Sequence, residues 1–99
     1  MCVFQDSDFT GNPYGWPTAS YSGYWVNLTG TSSIALPWGS FNDNSGSSVA
    51  FGEASTGNTK CYAAGSRISS PSPSWVTSSR YMYIEYGVSD CTVSLPSLP

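Results

Sequence analysis

Apolar residues in this chain fall in short alternating runs separated by turn formers, and none of the runs keeps a helical period. The clearest lies at 80–88, where Tyr81, Tyr83 and Glu85 alternate with Met82, Ile84 and Tyr86, the period of two that marks a half-buried strand. Cys2–Phe4 reads as a first strand, with Phe9–Gly11 following a polar turn. Tyr21–Leu28 is an aromatic-rich second strand, and Ser33–Leu36, Ser47–Phe51 and Thr59–Ala63 supply further short runs. Asn12–Pro17 holds Asn-Pro, Gly and Trp-Pro and is expected to break any regular element. Pro37–Phe41 and the Asn/Asp/Ser/Gly stretch after it read as a turn-rich loop. Ala54–Thr59 reads as a connector. Ser69–Ser74 alternates Ser and Pro and must be extended, outside any central strand. Ser94–Pro99 reads as a loose tail. The expected architecture is all-β, a sandwich or small barrel.

Composition narrows the class. Ninety-nine residues suit one domain, 1–99, with one core. Only 9% of residues are charged while 15% are aromatic, and the polarity comes from Ser, Thr, Asn and Gly. Hydroxyl and amide side chains compete with helical hydrogen bonds, whereas Tyr, Trp, Phe and Val pack well on a pleated surface. The three basic residues, Lys60, Arg67 and Arg80, stand singly. Without a basic cluster, neither nucleic acid nor an anionic membrane is an expected partner. No apolar run reaches the roughly 20 residues needed to cross a bilayer. Sparse charge and many hydroxyls fit a secreted protein. No signal peptide is recognisable, so Met1 is expected to stand where a leader is missing.

Three cysteines, Cys2, Cys61 and Cys91, allow three single bridges. Cys61–Cys91 is preferred because it ties the last strand to the middle of the sheet. Cys2–Cys61 is the main rival, and three buried thiols are the remaining alternative. Asn27-Leu28-Thr29 is a glycosylation sequon, or simply a polar residue before a turn.

Candidate chemistry centres on Asp43–Ser48. Calcium takes six to eight oxygens. Asp43 offers a carboxylate, Asn44 an amide oxygen and Ser47 a hydroxyl, while Gly46 frees the backbone to turn. The plain alternative is a polar turn whose side chains cap nearby amides. Earlier in the chain, Phe4 and Phe9 bracket Gln5-Asp6-Ser7-Asp8, and Gly11 follows.

Together these segments resemble the βγ-crystallin family. Phe4, Phe9 and Gly11 are similar to its aromatic-x-x-x-x-aromatic-x-Gly opening. Asp43, Asn44, Ser47 and Ser48 match its later pair of Asn/Asp and pair of Ser/Thr-Ser. The resemblance covers roughly 2–52 and implies a Greek-key sandwich with a first motif at 1–52, a degenerate second motif at 53–93 and a tail at 94–99. It further implies one weak calcium site, with Asp43, Asn44 and Ser47 joined by hairpin oxygens near Gln5 and Asp6, and Ser48 hydrogen-bonding the hairpin. In the second half, Gly65–Ser70 ends in Ser-Ser but lacks the acidic pair, and Arg67 would repel a cation.

No enzyme is expected. The chain has no histidine, so the usual nucleophile–base pair cannot be built. Asp6 with Asp8, or Glu53 with Glu85, are nominal carboxylate pairs that read as solvated surface. The same resemblance implies a functional alternative, a secreted inhibitor of an extracellular metalloproteinase presenting Ser69–Ser74 as a rigid loop, where the plainer reading of that stretch is a connector. A sugar- or surface-binding patch of tryptophans is a further alternative. Trp25 reads as core, whereas Trp16 and Trp38 lie in Pro/Gly loops and have the stronger claim to the surface.

Overall fold

The computed structural model describes residues 1–91 and 94–99. Its elements are β1 (Cys2–Asp6), β2 (Thr10–Gly15), β3 (Trp25–Asn27), α1 (Leu28–Thr31), β4 (Ser40–Asn42), β5 (Ser48–Glu53), β6 (Asn58–Tyr62), β7 (Arg67–Ile68), a 3-10 turn (Ser74–Ser78) and β8 (Tyr81–Glu85). They form two four-stranded sheets, ordered β2-β1-β4-β7 and β3-β8-β5-β6. All pairings between these strands are antiparallel. The all-β expectation holds.

The two orders are related. Adding four to each strand number of the first sheet, counting round after eight, gives the second sheet read backwards. Each run of four strands therefore lends its third strand to the other sheet. The changeover falls between β4 and β5, at 43–47, so the expected boundary at 52/53 cuts through β5.

Between the sheets, Val3 and Phe41 from one meet Val26, Val49, Phe51, Met82 and Ile84 from the other, all buried. Trp38 packs its ring against Phe41 at 6.1 Å and Phe51 at 4.9 Å, and its Nε1 donates to the Ser79 carbonyl at 3.1 Å. A buried indole needs such an acceptor for its N–H.

Several local expectations change. β2 runs through Asn12 and Pro13, which is tolerated because β2 is an edge strand and Pro13 owes no ladder bond outward. Tyr21–Leu28 yields only a three-residue strand. The Asn27 side chain then caps α1, accepting from the Gly30 amide at 3.1 Å. Ser33–Leu36 is not a strand, and β4 forms instead within the presumed Pro/Gly loop. Trp16 and Trp38, which had the stronger claim to the surface, are buried, while Trp25, read as core, is half-exposed, as is Trp75.

Candidate functional site

The β1–β2 hairpin is closely constrained. Asp8 (φ 56°) and Phe9 (φ 58°) adopt left-handed backbone, which costs free energy for residues with a Cβ. Tertiary bonds hold them there. The Asp8 amide donates to the Ser69 carbonyl at 3.0 Å, and the Phe9 amide donates to Ser40 Oγ at 2.9 Å. Ser40 Oγ donates in turn to the Asp6 carbonyl at 2.7 Å. The Phe9 ring meets Phe4 edge-on at 5.8 Å, and the Arg67 guanidinium lies 3.8 Å from its centroid. Gln5 is fully engaged: Oε1 accepts from the Ala35 amide at 2.9 Å, and Nε2 donates to the Ala35 and Pro37 carbonyls at 2.9 and 3.3 Å. The hairpin is thus docked on the 35–40 loop.

The 43–48 turn lies elsewhere. Asp43 is 1% exposed; its Oδ1 accepts from the Ser45 hydroxyl at 2.6 Å and amide at 3.2 Å, while Oδ2 is buried without a partner. Burial pushes its carboxyl up, opposed by the Ser45 bonds and by the N-terminal ammonium. Ser47 Oγ accepts from the Gly87 amide at 2.9 Å. Asn44 is exposed and lines a shallow depression with Met1, Cys2, Gly15, Trp16 and Pro17.

The register separates the two groups. On β1, Cys2 lies beside Asn42 and Phe4 beside Ser40, so Asp43 follows one end of the pairing and Asp6 extends beyond the other. In this register Asp43 falls opposite Met1, four residues along the strand from Gln5 and five from Asp6, about 13–16 Å. Gln5 and Asp6 are therefore not brought together with Asp43, Asn44 and Ser47. The expected five-residue calcium set does not form a single site, and the hairpin half carries a guanidinium on its aromatic ring. Nor does a group of three or more carboxylates or cysteines suited to a metal occur among the described residues. The role expected of Ser48 belongs to Ser40, and Ser48 Oγ is buried without a partner. Spacing alone could not separate these serines; only the pairing of β1 with β4 does.

The Cys61–Cys91 bridge is present, with Cα atoms 5.8 Å apart, and Cys2 is free. Of the nominal carboxylate pairs, Asp6 and Asp8 are exposed as expected, whereas Glu85 is buried and is parted from Glu53: Glu85 pairs with Ser48 and Glu53 with Asn58 at opposite ends of β5. A cleft of about 250 Å³ is lined by Leu36, Glu53, Ala54, Ser55, Ser78, Arg80 and Tyr81. Its carboxylate already accepts from the Thr56 hydroxyl at 2.8 Å.

The 69–74 loop is pinned at several points. Ser69 receives the Asp8 amide, Lys60 Nζ donates to the Ser72 carbonyl at 2.6 Å, and Pro71 is buried. Below it, the Val76 amide donates to Pro73 at 3.1 Å, and the Thr77 carbonyl receives the Trp38 amide at 2.9 Å. Ser70, Ser72, Pro73 and Ser74 stay exposed. A fixed backbone with free outer atoms can enter a cleft at small entropic cost. Comparison with protein-family models, curated proteins and solved structures finds no match.

Proposed function

We propose that this chain is a secreted, non-catalytic βγ-crystallin-like Greek-key module that inhibits an extracellular metalloproteinase through its Ser69–Ser74 loop. The kinship is supported by β4 returning beside β1 with β2 on its other flank, by the related order of β5–β8, and by the Phe4, Phe9 and Gly11 hairpin. Secretion is supported by the disulfide, which persists in oxidising compartments. Calcium is not part of this reading, because Gln5 and Asp6 stand apart from Asp43, Asn44 and Ser47.

The observation that carries the inhibitor reading is the loop itself: Pro71 anchors it inward, Lys60 clamps its Ser72 carbonyl, and four residues remain outside. Ordering costs are met during folding, so little is lost on docking. The test is complex formation with a thermolysin-like proteinase on gel filtration. The intact chain should co-elute with the enzyme, and a variant with 70–74 replaced by Gly and Ser should not. Co-elution of both would remove the loop from the account.

A further inference from the structure

The outer face of the second sheet is not bare. Antiparallel partners share a face, so Cys61, Ala50, Tyr83 and Trp25 form one row across β6, β5, β8 and β3. The segment 94–99, read from the sequence as a loose tail, lies on this face. Trp25 Nε1 donates to the Pro96 carbonyl at 2.9 Å. Leu98 packs over Gly52 so closely that a Cβ there would sit 2.5 Å from Leu98 Cδ2 and 3.2 Å from the Trp25 ring. Trp25 stands edge-on to Tyr83 at 5.4 Å, giving an aromatic floor.

The tail has a period of its own. Leu95-Pro96 and Leu98-Pro99 repeat at three residues, and Leu95 and Leu98 are half-buried while Ser94, Pro96, Ser97 and Pro99 are exposed. Three residues per turn is the period of polyproline II, and a residue before proline is held extended. An apolar edge every third residue, set on aromatics with an indole N–H on a peptide carbonyl, is how proline-rich ligands are read. Cys91 is tied to Cys61 on one edge strand, and Pro96 is bonded to Trp25 on the other.

We infer that this face is a recognition groove for extended Leu-Pro-x-Leu-Pro segments, occupied in cis by residues 95–99. Glycine at 52 leaves the slot for the second leucine, and Trp25 supplies the one directional bond. The inference does not depend on the inhibitor reading.

The test uses the full chain with Leu95→Ser and Leu98→Ser together, following the Trp25 indole N–H by NMR. The tail should leave, moving that resonance, and the peptide Ser-Leu-Pro-Ser-Leu-Pro should return it saturably. The unsubstituted chain should bind the peptide at least tenfold more weakly, because its own tail competes. A peptide with both prolines changed to alanine should also bind at least tenfold more weakly. If the double variant loses its folded spectrum, Leu98→Ala serves in its place. A Trp25 resonance indifferent to the substitutions or to the peptide would overturn the inference, as would equal binding of the alanine peptide.

Discussion

Ser40 Oγ accepts the Phe9 amide at 2.9 Å, so one hydroxyl on β4 holds a left-handed residue of the first hairpin in place. The same oxygen donates to the Asp6 carbonyl. Ser40→Ala leaves two backbone groups without partners and should cost about 1–3 kcal/mol. Ser48→Ala removes a buried hydroxyl that has no partner and should be near neutral. Denaturant unfolding of both variants checks the contrast; equal losses would return the structural role to both serines.

Gly39 is the hairpin's other support. A Cβ there would lie 2.0 Å from the Asp6 carbonyl carbon, against nothing within 4 Å at Gly15. Gly39→Ala should cost about 3 kcal/mol or more, because backbone must move. Gly15→Ala should stay within about 0.5 kcal/mol. Thermal melts separate the two.

Acid should help this fold over a limited range. Burial pushes the Glu85 and Asp43 carboxyls up, so the folded state holds protons that the unfolded chain has released. Such groups contribute stability fully below their unfolded values of about 3.9–4.3, and that contribution is lost as pH rises through the higher folded values. Stability should therefore increase as pH falls from neutrality toward about 4.5. Glu85→Gln should flatten the profile. A profile that Glu85→Gln leaves unchanged would clear that residue.

Because Gln5 and Asp6 stand apart from Asp43, Asn44 and Ser47, millimolar calcium should leave the melting temperature where it was. A calcium-dependent rise abolished by Asp43→Asn would show that the 43–48 turn gathers enough oxygens alone.

What the sequence made legible follows from length and redundancy. β8 alternates over five residues and could be read directly, as could a bridge from Cys61 to the region after it. β4 has only three residues amid Trp, Gly and Asn, so pairing with β1 and β7 defines it rather than its own pattern. The expected calcium ligands are parted for a related reason. Two serine-bearing segments competed for the hairpin, and the one with acidic neighbours carried the better spacing but the wrong end of the strand. Trp16 was hidden likewise: its burial follows from the Trp16 amide bonding the Met1 carbonyl at 2.9 Å and from Nε1 bonding Thr31 Oγ1 at 2.8 Å.

The most direct measurement is steady-state inhibition of a thermolysin-like metalloproteinase by the intact chain and by Lys60→Ala. The account predicts saturable, competitive inhibition by the intact chain, weakened at least tenfold, about 1.4 kcal/mol, when the clamp on Ser72 is removed. A folded chain that leaves the proteinase fully active, or a Lys60→Ala variant that inhibits equally well, would contradict it.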